Sequence, residues 1–308
     1  MSYRLRSDES VTHGLRRLAT KELRSARNEL RATRPPHDEA IHEARKSIKK
    51  VRAIAELIAA DDGRGLAGCR KRIAKVNQVL SRLRDAGAML EILAKLRKMH
   101  PHVFDEHTFA RMRRRLTSNK QSSMKAAEDD GAWRTIDRAL RALRRAAKRW
   151  QPTHRRFGVF AAGIRQSYGR GRKALARAKQ RQQAADFHEW RKHMKSLWYQ
   201  LRLIQGCSAG IGADVRSLHN AETWLGDDHN AVVLCEELSR EAPLCDLERL
   251  RRAANTYQCD LRRKTIAKAS PMYRRSPDGF VRRVKAAWHA WKRRSRAAHT
   301  RRSRRVAA

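Results

Sequence analysis

The sequence predicts an all-α protein built from a duplicated unit, and three observations lead there. Apolar residues recur at alternating three- and four-residue steps, the stripe of a buried helix face. Ile41, Ala44, Ile48, Val51, Ala55 and Ile58 form one such stripe; Ile73, Val76, Leu80, Leu83 and Leu90 form the next. Met194, Leu197, Leu201 and Ile204 repeat the pattern later. Breakers are scarce: 15 Gly and 7 Pro in 308 residues, the prolines at Pro35-Pro36, Pro101, Pro152, Pro243, Pro271 and Pro277. The runs between them are rich in Ala, Leu, Arg, Lys and Glu, all good helix formers. Finally, one lettering occurs twice, as HEARKSIKKVR from His42 to Arg52 and as HEWRKHMKSLW from His188 to Trp198. Strand-like alternation is absent, so eight to ten helices are expected, many of them long.

The repeat divides the chain. His188 lies 146 residues after His42, and Leu225 lies 145 after Leu80. Two matches at nearly one offset indicate a duplicated domain rather than a short-period solenoid. The expected halves are residues 1–150 and 151–291, meeting at WQPTH (Trp150 to His154), where Pro152 interrupts the helical pattern. The tail, residues 292–308, is almost entirely basic or small and is expected to fray unless a polyanion orders it.

Charge limits the partners. Lys and Arg total 72 against 31 Asp and Glu, a formal net charge of +41, while 41% hydrophobic residues suffice for a packed core. Such a surplus repels itself in the folded state and calls for a polyanion: nucleic acid, an anionic membrane surface or a chain of phosphates. Five cysteines (Cys69, Cys207, Cys235, Cys245, Cys259) without a C-x-x-C fit reduced, buried thiols of a cytoplasmic protein. The N-terminus lacks an apolar signal core, and no apolar run reaches the length of a membrane span.

The repeated motif is a helix with a greasy back and a cationic front. His42, Arg45, Lys46 and Lys49 fall within an arc of roughly 100° on a helical wheel, and Arg52 extends it; Ile41, Ala44, Ile48, Val51 and Ala55 lie opposite. His188, Arg191, Lys192 and Lys195 repeat the arc, with Phe187, Trp190, Met194, Leu197 and Leu201 behind them. Glu43 and Glu189 stand at the edges. The plainest interpretation is a solvated polar face. Against it, solvated faces usually mix signs in i,i+4 pairs, whereas these arcs carry no acid. A histidine also opens each arc, and the two arcs recur in register, so that the fronts can face each other across a groove. Arg17, Lys21 and Arg24 on the first helix, Lys71, Lys75 and Arg82 on the third, and Arg165, Arg170, Arg172 and Lys173 around YGRGRKA can add to such a groove. Arginine forks and lysine ammoniums suit phosphate oxygens, with binding that weakens steeply in salt. The histidines either donate to phosphate or orient neighbouring helices from the interior.

The doubled H-E-x-R-K-x-x-K lettering, the paired Leu-small elements at Leu80 and Leu225, and YGRGRKA before the second copy together resemble the CHAD family, the conserved-histidine α-helical domains. The resemblance spans about residues 8 to 290. It implies two four-helix bundles related by pseudo-two-fold symmetry around a basic central channel that binds inorganic polyphosphate, with location at polyphosphate granules in bacteria. Carried over by position, His42, Arg45, Lys46, Lys49, His188, Arg191, Lys192 and Lys195 become ligand contacts. Asn230 stands where the family often has an acid, and Ser81 where it has Gly.

Catalytic and metal chemistry find no support in the sequence. His188 and His193 are five apart, whereas a zinc H-E-x-x-H needs four. Asp227, Asp228 and His229 are expected to cap a helix or pair with the cationic stripe rather than hold a cation. GRGR (Gly169–Arg172) and GIG (Gly210–Gly212) match no nucleotide-binding loop. The E-x-E-x-K strand of the triphosphate-hydrolysing domain to which CHAD domains are sometimes fused is also absent. The expectation is a binding protein without cofactor or metal, not an enzyme. The alternative is a charge-driven DNA- or RNA-binding protein. With 6% aromatic residues it would lack the stacking platforms of single-strand binders. A membrane-surface reading rests on AWHAWKRRSR (Ala287 to Arg296) alone.

Overall fold

The computed structural model describes residues 3–33, 35–101, 105–239 and 244–306. The predicted stripes become ten α-helices among these residues: α1 (Val11–Ala32), α2 (Asp38–Ala60), α3 (Cys69–Met99), α4 (Glu106–Asp129), α5 (Ala132–Ala147), α6 (Gly158–Arg181), α7 (Ala184–Arg202), α8 (Ala209–Leu238), α9 (Leu244–Ala269) and α10 (Pro277–Val306). No strand forms among them; Arg64 and Gln151 make an isolated antiparallel bridge. Local chemistry sets the helix starts. Ser10, Asp105 and Ser208 accept hydrogen bonds from the amides of His13, Thr108 and Ile211, and the imidazole of His37 does the same for Ala40 at the head of α2. These caps satisfy amides that have no carbonyl partner in the first turn.

The order of packing recurs along the chain. Neighbours in sequence pack as α1 on α2 and α2 on α3, then as α6 on α7 and α7 on α8, while α4 follows α3 and α9 follows α8 as the return arms of long hairpins. The two motif helices meet, α2 against α7, and so do the helices that follow them, α3 against α8. The core does not stop at the midpoint. One cluster joins Leu15, Ile48, Ile54 and Leu57 to Phe160, Ile164, Trp190, Met194 and Leu197. A smaller one, at the hairpin tips, joins Ile92 and Leu96 to Met112, Leu116, Leu234 and Leu250. Gly163 lets α6 lie against α2: a Cβ there would come within 2.6 Å of the Leu57 side chain. The segment after α5 is pinned rather than free, with Trp150 fully buried and Arg64 and Gln151 exchanging backbone hydrogen bonds.

Among the described residues α10 continues as helix to Val306. Lys292 donates to the carbonyl of Ser7 (2.8 Å) and Arg294 to that of Cys207 (3.1 Å), and the Lys292 ammonium lies over the rings of Trp288 and Trp291. The side chains of 298–306, and residues 307–308, lie outside the described residues. Among the cysteines, Cys69 and Cys207 are buried as expected, but Cys259 is exposed; the side chain of Cys245 lies outside the described residues. Trp288 is 2% exposed against Phe157 and Phe160, which consumes the aromatic surface a membrane contact would need. Among the described residues no helix is long and apolar enough to cross a membrane.

Candidate functional site

Where α2 meets α7, the two cationic arcs converge. Arg45, Lys49, Arg191 and Lys195 lie close enough that each lysine's proton affinity is lowered by the neighbouring positive charges, and all four are partly buried. For Lys49, burial first and then Lys195, Arg45 and Arg191 hold the amine well below its ordinary range. Arg45 is lowered in the same way, by burial and then by Arg84 and Arg191 against the opposing pull of Asp85. Like charges at low dielectric repel far more strongly than in water, so this arrangement costs the fold free energy.

Neighbouring helices hold each cation in place. Arg45 donates to Ser81 Oγ (2.8 Å) and to Asp85 Oδ1 (3.3 Å) on α3, while its Nε is buried with no partner. Arg191 donates through Nε to the carbonyl of Glu222 on α8 (3.2 Å). Its guanidinium also sits over Gly226, where a Cβ would approach Nη2 to 3.1 Å. Lys195 donates to Glu222 Oε2 (2.6 Å). Glu222 is 7% exposed; burial alone would raise its pKa, but His219, Lys195 and Arg191 hold it at about 2. Lys49 makes neither hydrogen bond nor ion pair among the described residues.

The two histidines open the seam differently. His42 Nδ1 accepts from Arg84 Nε (3.3 Å), and Arg84 also donates to Glu91. Burial, then Arg84 and Lys46, lowers the His42 pKa. His188 packs its ring on His229 with centroids 4.1 Å apart, and its Nδ1 is buried without a partner. Burial pulls both imidazoles to about 4, helped for His188 by His229 and for His229 by Arg191. Both are therefore neutral at physiological pH and can each donate a single N–H.

The structure splits what the wheel had grouped. His188, Arg191 and Lys195 turn toward α8 and the seam. Lys192 turns the other way, with Glu189 (3.0 Å) and His193, into a separate cleft that Arg52 also lines. On α2, Lys46 pairs with Glu43 (2.5 Å) and Arg52 with Glu56 (3.2 Å). Arg17 is engaged by Glu9 and Arg165 by Asp278. Arg24, Lys75, Arg82 and Arg172 stand exposed on α1, α3 and α6, and Lys21 is half-buried on α1. Asp227 and Asp228 form their ion pairs outside the stripe, with Lys95 and Arg262, although Asp228 also feels the charge of Arg191; His229 meets the stripe through the ring of His188. Sequence reasoning missed Arg84, Glu222 and Asn77. Glu222 carried a usable signal, as an acid flanked at helical spacing by Leu218, Ala221 and Leu225.

Fold and site together define a helical protein with an internal repeat and a cationic seam between its motif helices. The family model of the CHAD domain matches residues 17–239, and the chain belongs to that family. Its fold is similar to the crystal structure of the CHAD domain from the plant Ricinus communis, with a TM-score of 0.57 and 19% identity over 94% of this chain and 95% of that one. It is also similar to PptA from Streptomyces chartreusis, with a TM-score of 0.51 and 16% identity over 91% of this chain and all of the other. No curated protein matches the chain.

Proposed function

We propose that this protein binds inorganic polyphosphate along the seam between α2 and α7, as a binding module rather than an enzyme, and resides in the cytoplasm at polyphosphate granules. The observation that carries this reading is the convergence of four cations, Arg45, Lys49, Arg191 and Lys195, on only two carboxylates, buried Glu222 and the more exposed Asp85. A chain of phosphates supplies the missing negative charge at regular spacing and asks for no base edge or ring contact. Membership of the CHAD family, associated with polyphosphate binding, supports the same ligand. The reading takes residues 1–150 and 151–291 as halves related by a pseudo-two-fold axis, each a bundle, with His42 and Lys46 extending one wall of the channel and His188 the other. The recurring packing order and the pairing of α2 with α7 and α3 with α8 support that axis.

Nucleic acid is the competing ligand. Base stacking needs exposed aromatic rings, and among the described residues the exposed large hydrophobic side chain is Met99. Nucleic acid would therefore be held by charge alone. Affinities for long-chain polyphosphate and duplex DNA, measured at matched phosphate and physiological salt, distinguish the two. Polyphosphate is expected to bind at least tenfold more tightly, about 1.4 kcal/mol; equal affinity with equal salt dependence would overturn the proposal.

A further inference from the structure

A second cationic site lies beside the seam and is open on one side of the molecule only. Arg52 from α2, Arg70 from α3, Arg170 from α6, and Lys192, His193 and Gln200 from α7 line a cleft of about 410 Å³. Its floor is built rather than incidental. Gln200 is 1% exposed, and its Oε1 has no hydrogen-bond partner. A buried amide left unmatched is costly, and turning it about its last torsion presents an N–H₂ donor to the cleft instead. Glu56 and Glu189 engage Arg52 and Lys192 at the rim. Arg70 and Arg170 are exposed and have no ion-pair partner among the described residues.

The matching position in the other half is closed. At the repeat's offset, Ser167, Ser196 and Glu56 of the cleft correspond to Glu22, Lys50 and Arg202. There Tyr3, 3% exposed, fills the space. Its hydroxyl donates to the carbonyl of Lys50 (2.9 Å), and the Arg202 guanidinium lies 5.4 Å from its ring centroid. Glu22 neutralises Lys50 at 2.8 Å. The N-terminal segment thus plugs one of two related clefts and leaves the cationic one open.

We infer that the Arg52–Arg70–Arg170–Lys192 cleft is a separate subsite for a compact phosphoanion, either a free oligophosphate or the terminal phosphates of a longer chain, with Gln200 as the buried donor at its floor. Two unpaired guanidiniums at the rim and an amide donor below suit an anion carrying several charges on adjacent phosphorus centres. The inference rests on the cleft's own residues and does not require the seam to bind polymer.

Tripolyphosphate titrated by calorimetry into the full-length protein provides the test. Wild type is expected to show two classes of site. R70S/R170S changes exposed side chains, leaves the seam intact, and is expected to lose one class or weaken it by about tenfold or more. R45S/K49S/R191S is expected to lose the other class and keep the cleft. If R70S/R170S binds with wild-type stoichiometry and affinity, the inference fails. It also fails if the seam variant abolishes both classes together. If the seam variant instead leaves both classes unchanged, the seam proposal falls and the cleft stands. Long-chain polyphosphate identifies the source of the ligand: weaker binding by R70S/R170S places a chain end in the cleft, and unchanged binding assigns it to free oligophosphate.

Discussion

Lys195 and Lys49 occupy matching turns of the two motif helices, yet they meet opposite surroundings. Lys195 reaches Glu222 at 2.6 Å. At the repeat's offset Asn77 on α3 stands where Glu222 stands on α8, and its Oδ1 is buried without a partner. Beyond them the walls diverge again: Arg84 and Asp85 in one half stand where His229 and Asn230 stand in the other. One half of the seam thus pairs its lysine with a buried carboxylate, whereas in the other half the carboxylate, Asp85, pairs with Arg45 and Lys49 has none. The difference teaches that the two halves settle their buried lysines differently: Glu222 answers Lys195, while Lys49 has no hydrogen-bond or ion-pair partner among the described residues.

The comparison can be broken, and the largest effect is expected on the paired side. K195M removes the ammonium nearest the buried Glu222 and leaves it only His219 and the charge of Arg191, which should destabilise the protein by about 3 kcal/mol in urea melts, and K195M/E222Q should recover most of that loss. On the unpaired side, N77E should give Lys49 the partner that Lys195 already has. Stability of the free protein is expected to rise by about 1 kcal/mol, a modest net gain for a buried pair, while polyphosphate binding weakens; a tighter-binding N77E would contradict the asymmetry. The smallest effect concerns pH. His188 and His229 titrate near 4 in the folded protein against an ordinary 6.5, so the unfolded chain binds protons first as pH falls. Their contribution is fully present above about 6.5 and is lost progressively toward 4. Thermal melts of H229N should show a shallower decline across that window than wild type.

Much of this architecture was legible in the sequence, for a physical reason. Ile41, Ala44, Ile48 and Val51 are spaced for one helix face whatever packs against it, so the apolar stripe alone identifies α2. The doubled motif likewise located both walls of the seam. What the wheel could not resolve is which polar residues of one arc meet which neighbour. Arg191 and Lys192 bound the same arc of the wheel at its two edges, and packing sends the first to α8 and the seam and the second to the cleft beside α6. Glu222 lies far from the motif in sequence, and only the packing of α7 on α8 brings it to Lys195. At the start of the tail, Trp288, Trp291 and the carbonyls of Ser7 and Cys207 supply Lys292 and Arg294 with partners that composition does not reveal.

The most direct test is the affinity of R45S/K49S/R191S for long-chain polyphosphate at physiological salt, with Lys195 and Glu222 left paired and helicity checked by circular dichroism. Losing three charge-assisted contacts should weaken binding by about 100-fold or more relative to wild type. An affinity equal to wild type in a fully helical variant would show that the seam does not hold the polymer.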